Sequence, residues 1–219
     1  MTQPFTHDVA RRYDACFAPA VFVPFAAVTA RLVAESQPRD VLELACGTGR
    51  ATVAIAAALP GARITATDIS PDMLDYARRN RCAPNVTWEL CDATDLPYPD
   101  ASYDVVACQF GAMFFPDRPL AYAGFRRVLR PGGRLVLVVW DDAESHAFAR
   151  ILMERLRAMM DDPPQFLERI PHGYHDPAQI EADVVAGGFS DVSVTRSPYS
   201  TGGFGEPHGQ VSGHLAISR

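Results

Sequence analysis

Acids and glycines along this chain stand within or at the ends of apolar runs. The stretch Val41-Leu42-Glu43-Leu44-Ala45-Cys46-Gly47-Thr48-Gly49-Arg50-Ala51-Thr52 is an apolar run holding one acid, broken by two glycines and resumed by small residues. It reads as strand, tight turn and helix. Glycine at 47 and 49 lets a ligand approach the backbone and permits the positive φ that such a turn needs. Glu43 lies in a run that reads as buried, where an unpaired acid is costly, so a protein or ligand group should hydrogen-bond it. Asp68 ends the next apolar segment, where a carboxylate can accept from both hydroxyls of a ribose. Ser70 and Pro71 already supply the cap and first-turn proline of the following helix, which frees Asp68 from that duty. Asp92, in Leu90-Cys91-Asp92-Ala93, suits an adenine amino group, with the Ala93 amide at a ring nitrogen; an Asx turn is the competing local role. Gln109 precedes Phe110-Gly111-Ala112-Met113-Phe114-Phe115, a run that is either a pocket wall or ordinary core.

These residues need a scaffold that brings strand ends together. Residues 8–35 carry apolar side chains at mixed three and four spacing broken by Pro19 and Pro24, which predicts two short helical pieces, with Tyr13 in the first. From Asp40 the pattern alternates: strand 40–45, helix 49–59, strand 62–67, helix 71–81, strand 86–90, strand 103–109, helix 118–129, a turn at Arg130-Pro131-Gly132-Gly133, and strand 134–140. Near-continuous apolar strands alternating with helices imply a parallel sheet covered on both faces. Beyond Trp140 a long helix (143–160), a connection rich in proline, histidine and tyrosine (161–176), a helix (177–186) and strands at 189–196 and 211–218 complete the chain. The Gly/Ser/Pro-rich loop 197–209 is expected to be mobile.

Composition narrows the chemistry. At 219 residues one sizeable core is expected, and the 20 basic residues are all arginine. Without lysine there is no P-loop lysine and no Schiff base. A net charge of −6 disfavours nonspecific nucleic-acid or anionic-membrane binding, although a local patch can contradict the average. The arginine groups Arg78-Arg79-Asn80-Arg81 and Arg126-Arg127-Val128-Leu129-Arg130 sit at predicted helix carboxyl ends, where cations meet the helix dipole. The cysteines at 16, 46, 82, 91 and 108 form no C-x-x-C pair and read as reduced thiols. No secretory pattern opens the chain and no window approaches the ~20 apolar residues of a membrane span, so a cytoplasmic protein is expected.

The ordered motifs Glu43–Gly49, Asp68-Ile-Ser-Pro-Asp-Met-Leu74, Cys91-Asp-Ala93, Ser102–Gln109 and Leu129-Arg-Pro-Gly-Gly-Arg-Leu135 resemble those of class I S-adenosylmethionine-dependent methyltransferases. The resemblance is to the broad group that includes ubiquinone/menaquinone C-methyltransferases, and it covers the middle half of the chain. It implies a single domain over 1–219, with a helical lid (1–38), a cofactor-binding core (39–140) and a substrate-side part (141–219). It also implies a doubly wound, Rossmann-like α/β/α sandwich of seven strands in the order 3-2-1-4-5-7-6, with strand 7 antiparallel. By the same resemblance, Glu43, Ala45, Gly47, Thr48 and Gly49 line the methionine part of S-adenosylmethionine. Asp68 binds its ribose, Ile69 and Met73 flank the adenine, and Asp92 and Ala93 read its edge. The Gln109 carbonyl holds the ammonium beside Phe110, and Tyr13 closes over the amino-acid end. The product is S-adenosylhomocysteine. Two departures stand out: Glu43 replaces the commoner Asp, and the segment between the last two strands is short.

Such a reaction needs alignment of acceptor and methyl group and exclusion of water. A base is needed only if the acceptor must lose a proton; His146, His172, Tyr174 and His175 are the candidates, against surface or capping roles. His172 and His175 offer two metal ligands with no suitably spaced third, so no metal is expected. Phe17, Phe22, Met113, Phe114, Phe115 and Trp140 could line a pocket for an apolar or aromatic small-molecule acceptor, with core packing as the alternative. No nucleic acid or membrane span is expected, and a homodimer is compatible with this reading. Two other readings stand beside it: a non-catalytic adenosylmethionine-binding domain, and a nicotinamide-dependent oxidoreductase, which Thr52 in place of the third fingerprint glycine disfavours.

Overall fold

A computed structural model describes residues 7–200 and 210–218. The chain enters through α1 (His7–Arg12), a π-helical turn (Tyr13–Phe17), α2 (Ala18–Val21) and α3 (Val23–Ala34). Pro19 lies within α2, and Pro24 occupies the first turn of α3, where its missing N–H has no partner to lose. The break therefore falls at Phe22 rather than at the prolines, and the two expected pieces become a nearly continuous helical run. Then come β1 (Asp40–Leu44), α4 (Arg50–Ala58), β2 (Arg63–Asp68), α5 (Pro71–Asn80), β3 (Val86–Leu90), β4 (Tyr103–Gln109), α6 (Arg118–Val128) and β5 (Leu129–Trp140). The last elements are α7 (Ala147–Met159), α8 (Phe166–Arg169), α9 (Pro177–Ala186), β6 (Ser193–Ser200) and β7 (Gln210–Ser218).

The strands form one seven-stranded sheet in the order β3-β2-β1-β4-β5-β7-β6. β7 is antiparallel to both neighbours and the remaining pairings are parallel. Central β1 is buried at every position, its acids Asp40 and Glu43 included, whereas edge strand β3 is nowhere fully buried. Helix starts follow their caps: Ser70 accepts from the Met73 N–H, Asp117 from Leu120 and Asp176 from Ala178, each followed by proline in the first turn. α3 packs along α4 and α1 on α5, while α6 packs on α9.

Four expected boundaries moved. Leu129 already pairs with Tyr103, and the ladder resumes at Val105 with Arg134, so Arg130 to Gly133 bulge out of the strand instead of preceding it. β6 begins four residues later than expected, at Ser193 (193 − 189), because Gly188 (φ 89°) and Asp191 (φ 53°) turn the chain while Phe189 stays buried outside any strand. β6 also takes up residues 197–200 of the segment expected to be a mobile loop; 201–209 lie outside the described residues. The long helix after Trp140 is divided: a 3₁₀ turn (Ala143–Ser145) and α7 meet at His146, which is extended. Despite the short preceding segment, β7 pairs along β5 from Leu135–Ser218 to Trp140–Gly213. No helix among the described residues is long and apolar enough to cross a membrane.

Candidate active site

The carboxyl ends of β1, β2 and β4 converge on the glycine turn. Ala45 (φ 54°) follows the end of β1 and Phe110 (φ 57°) the end of β4, both left-handed although neither is glycine. Such conformations are held against strain and cluster at ligand sites. The two turns touch: a Cβ at Gly111 would lie 2.5 Å from Ala45 Cβ and 2.7 Å from Cys108 Sγ. The turn glycines have different jobs. A Cβ at Gly47 would meet nothing within 4 Å, leaving open space beside its backbone, whereas one at Gly49 would lie 2.6 Å from the Trp88 indole. Gly47 thus keeps a cradle open, and Gly49 lets β3 pack against the start of α4.

Two buried acids face this turn. Glu43 is 2% exposed, and its Oε2 has no hydrogen-bond partner among the described residues. Burial pushes its carboxyl up to about 8, the Thr52 hydroxyl opposing and the Asp68 charge adding. A buried oxygen of this kind, beside an open cradle, suits a cationic ligand group. Ser70 caps α5 and leaves Asp68 free of that duty, but the carboxylate takes backbone donors of its own: its Oδ1 accepts from the Ser70 N–H at 2.8 Å and its Oδ2 from the Gly47 N–H at 2.7 Å. Each carboxylate oxygen retains a second lone pair that a ribose hydroxyl can use. Burial raises Asp68, against the backbone N–H groups of Ser70, Gly47 and Ile69. Ile69 next to it is 65% exposed, an apolar surface open to a flat ring, while Met73 is buried beneath. Asp92 makes the Asx turn, its Oδ1 accepting from the Thr94 N–H (2.8 Å) and hydroxyl (2.7 Å), which leaves Oδ2 for another donor. Ala93 beside it is half-buried.

The Tyr13 ring packs at a tilt on Phe22, 5.0 Å between centroids, and burial, followed by the Asp68 and Asp14 charges, raises its phenol far above the ordinary value. Gln109 binds α3 through its side chain, with Thr29 Oγ1 donating to Oε1 at 2.5 Å and Nε2 reaching the Phe22 carbonyl at 3.5 Å. Asp14, absent from the expected set, accepts from the Thr48 hydroxyl of the glycine turn at 2.9 Å.

Beside the cradle, Phe110 and Trp140 stack at 3.5 Å, and Phe22 and Phe25 meet both edge-on at 5.0 to 5.6 Å. His146 closes on Trp140 at 5.4 Å and on His172 at 4.6 Å. His172 is buried, its Nδ1 2.8 Å from the Asp141 carbonyl; that contact requires the proton on Nδ1 and leaves Nε2 as the basic nitrogen. Burial lowers its pKa, opposed by the Asp141 carbonyl, so the neutral imidazole prevails at pH 7. The Asp141 carboxylate ties the strand end to β6 and β7 through Arg196 and His214.

The other expected acceptor-side residues are dispersed. Tyr174 is buried in the helix packing, its hydroxyl 3.2 Å from that of Tyr122 and the Arg118 guanidinium 4.1 Å over its ring. His175 turns its Nδ1 to the His172 carbonyl at 2.6 Å. Met113 is buried, Phe114 is half exposed, and Phe115 packs on Phe125 in the core. The Phe17 side chain lies outside the described residues. No group of three or more metal-ligating side chains capable of holding an ion occurs among the described residues.

A methyltransferase-domain family model matches residues 41–133. The demethylmenaquinone methyltransferase of Thermus thermophilus is 32% identical over 171 residues, covering 73% of this chain and 78% of that protein. That of Deinococcus radiodurans is 41% identical over 127 residues, 57% of this chain, which therefore spans 52% of the relative's length. Among solved structures, Haemonchus contortus phosphoethanolamine N-methyltransferase 2, in complex with phosphomonomethylethanolamine and S-adenosylhomocysteine, aligns with a TM-score of 0.70 over 99% of this chain and 58% of its own, at 15% identity. That last likeness is one of fold.

Proposed function

Because this chain belongs to the class I S-adenosylmethionine-dependent methyltransferases, we propose that it methylates a small aromatic acceptor, with His172 as the base. The observation that carries this reading is the buried, stacked Phe110–Trp140 pair beside the glycine turn, with His146 and His172 packed against Trp140. S-adenosylmethionine, when bound, supplies the electrophilic methyl group, and the organic chemistry is its own. The residues present fit it. Glu43 Oε2 would meet the ammonium together with the Gln109 carbonyl, Gly47 and Ala45 would line the methionine chain, and Asp68 would bind the ribose hydroxyls. Ile69 and Met73 would flank the adenine, whose edge Asp92 Oδ2 and the Ala93 amide would read, while Tyr13 covers the site.

The aromatic wall would hold a flat ring and exclude water. His172 would take the proton that the acceptor loses, at Nε2, while the Asp141 carbonyl fixes the tautomer. A hydroxyl-bearing ring of the quinol class is the first acceptor to try, in keeping with the relatives' names. Calorimetry with S-adenosylhomocysteine tests the cofactor half: binding by the wild type and its loss in Asp68→Ala are expected, and tight binding of NAD instead would overturn it. For the base, His172→Ala and His175→Ala are compared in turnover at saturating cofactor. Loss in His172→Ala with cofactor binding intact is expected, and unchanged turnover in both sinks the assignment.

A further inference from the structure

Asp14 lies in the π-helical turn Tyr13–Phe17, where the Ala18 N–H reaches back to the Tyr13 carbonyl. Interruptions of this kind recur at functional sites. Asp14 is 4% exposed, and its carboxylate gathers donors from parts of the chain far apart in sequence. The Thr48 hydroxyl donates at 2.9 Å, Arg50 Nε and Nη2 each at 2.8 Å, the Tyr76 hydroxyl at 3.1 Å, and Arg81 Nη2 completes the set. Arg81 also donates from Nε to the Thr48 carbonyl at 3.0 Å, so the guanidinium spans the acid and the glycine turn. Burial alone would raise this carboxyl, but Arg50, Arg81 and Thr48 overrule it and bring it to about 2, so it is ionised wherever the protein is folded.

The network is more than an anchor for one helix. Thr48 stands between Gly47, whose backbone faces open space, and Gly49, so Asp14 grips the cradle itself. Its neighbour Tyr13 packs at a tilt against Phe22, which meets Phe110 and Trp140 edge-on at 5.4 Å. One short segment therefore touches the cofactor turn through Asp14 and the aromatic wall through Phe22.

We propose that Asp14 is a positioning residue for the cofactor: by clamping Thr48, Arg50, Tyr76 and Arg81 it holds residues 13–22 closed over the glycine turn and so sets cofactor affinity. The inference rests on the cofactor reading and not on the acceptor. Entry of the cofactor requires the clamp to release, and bound cofactor in turn holds it shut. The exposed Arg11 and Arg12 immediately before the clamp supply a direct reporter, since trypsin cleaves after arginine.

Asp14→Asn keeps the shape and removes the charge. The expected results are a Kd for S-adenosylhomocysteine raised roughly tenfold or more, as loss of several charge-assisted hydrogen bonds implies, a matching rise in KM for the cofactor, and kcat at saturating cofactor within about twofold of wild type. Tryptic cleavage after Arg11 and Arg12, read by mass spectrometry, should be slowed by S-adenosylhomocysteine in the wild type and be fast in Asp14→Asn until far more ligand is added. Should Asp14→Asn fail to fold, Tyr76→Phe removes one donor and should raise both Kd and cleavage rate several-fold. A folded Asp14→Asn or Tyr76→Phe with wild-type Kd and wild-type ligand protection, even with a lowered melting temperature, overturns the proposal. A wild type that does not bind S-adenosylhomocysteine would overturn the cofactor reading instead.

Discussion

The rings of Phe110 and Trp140 lie face to face, 3.5 Å apart and within 5° of parallel, although they come from the ends of two different strands. Phe110 reaches this position only through its left-handed backbone (φ 57°), so the pair joins a strained turn to the last residue of β5. Trp140→Leu should lower stability by about 2–4 kcal/mol, as truncation of a buried aromatic does. It should also raise the KM of an aromatic acceptor about tenfold or more and leave the Kd of S-adenosylhomocysteine nearly unchanged. Thermal melts and steady-state kinetics separate these effects.

The two turn glycines should fail differently. Gly49→Ala drives a methyl into Trp88 and Arg81 at a positive φ, and should lose about 2–4 kcal/mol of stability through overpacking and backbone strain together. Gly47→Ala meets no atom within 4 Å, so it should lose only about 1 kcal/mol of stability while weakening cofactor binding at least as much as Gly49→Ala does. Equal melting temperatures for the two variants would contradict this division of labour.

Strands and helices could be read from the chain because they depend on local signals, apolar runs and cap residues, whereas the sheet order came with the family resemblance. What escaped depends on distant partners. Asp14 looks like any helix-surface acid until Thr48, Arg50, Tyr76 and Arg81 are folded onto it. The helical periodicity of 143–160 is continuous in sequence, and the break at His146 comes with the packing of its ring on Trp140. Tyr174 reads as a loop residue, yet Tyr122 and Arg118 bury it. For Asp92 the local signal was ambiguous, and the Asx turn now occupies one carboxylate oxygen and leaves the other.

Glu43 should make the cofactor-free protein less stable as pH rises. Its folded value of about 8 exceeds the ordinary 4.5, so between these pH values the folded state keeps a proton that the unfolded chain releases. Stability attributable to this group is full below about 4.5 and declines until about 8. Asp68, raised in the same direction, adds to the slope. Glu43→Gln should flatten the melting-temperature profile across this window, and a slope identical to wild type would refute it.

His172 acts with the opposite sign. Its folded value lies below the ordinary 6.5, so the unfolded chain gains the proton first and stability falls as pH drops below about 6.5. Turnover at saturating substrates should rise through an apparent pKa below 6.5 and level off by pH 7 to 8. In His172→Gln that limb should vanish along with most of the activity, while S-adenosylhomocysteine still binds.

β7 comes last of the strands along the chain, yet it lies between β5 and β6 and sets Gly213 opposite Trp140. During vectorial synthesis the ribosome therefore delivers β6 before the strand it pairs with exists. The partly made chain can assemble the parallel sheet from β1 to β5 around the glycine turn, but one side of β5 stays unpaired until residues 210–218 leave the exit tunnel. The cofactor cradle can thus form before β6 has a strand to pair with, and the antiparallel edge of the sheet closes only once residues 210–218 are at hand.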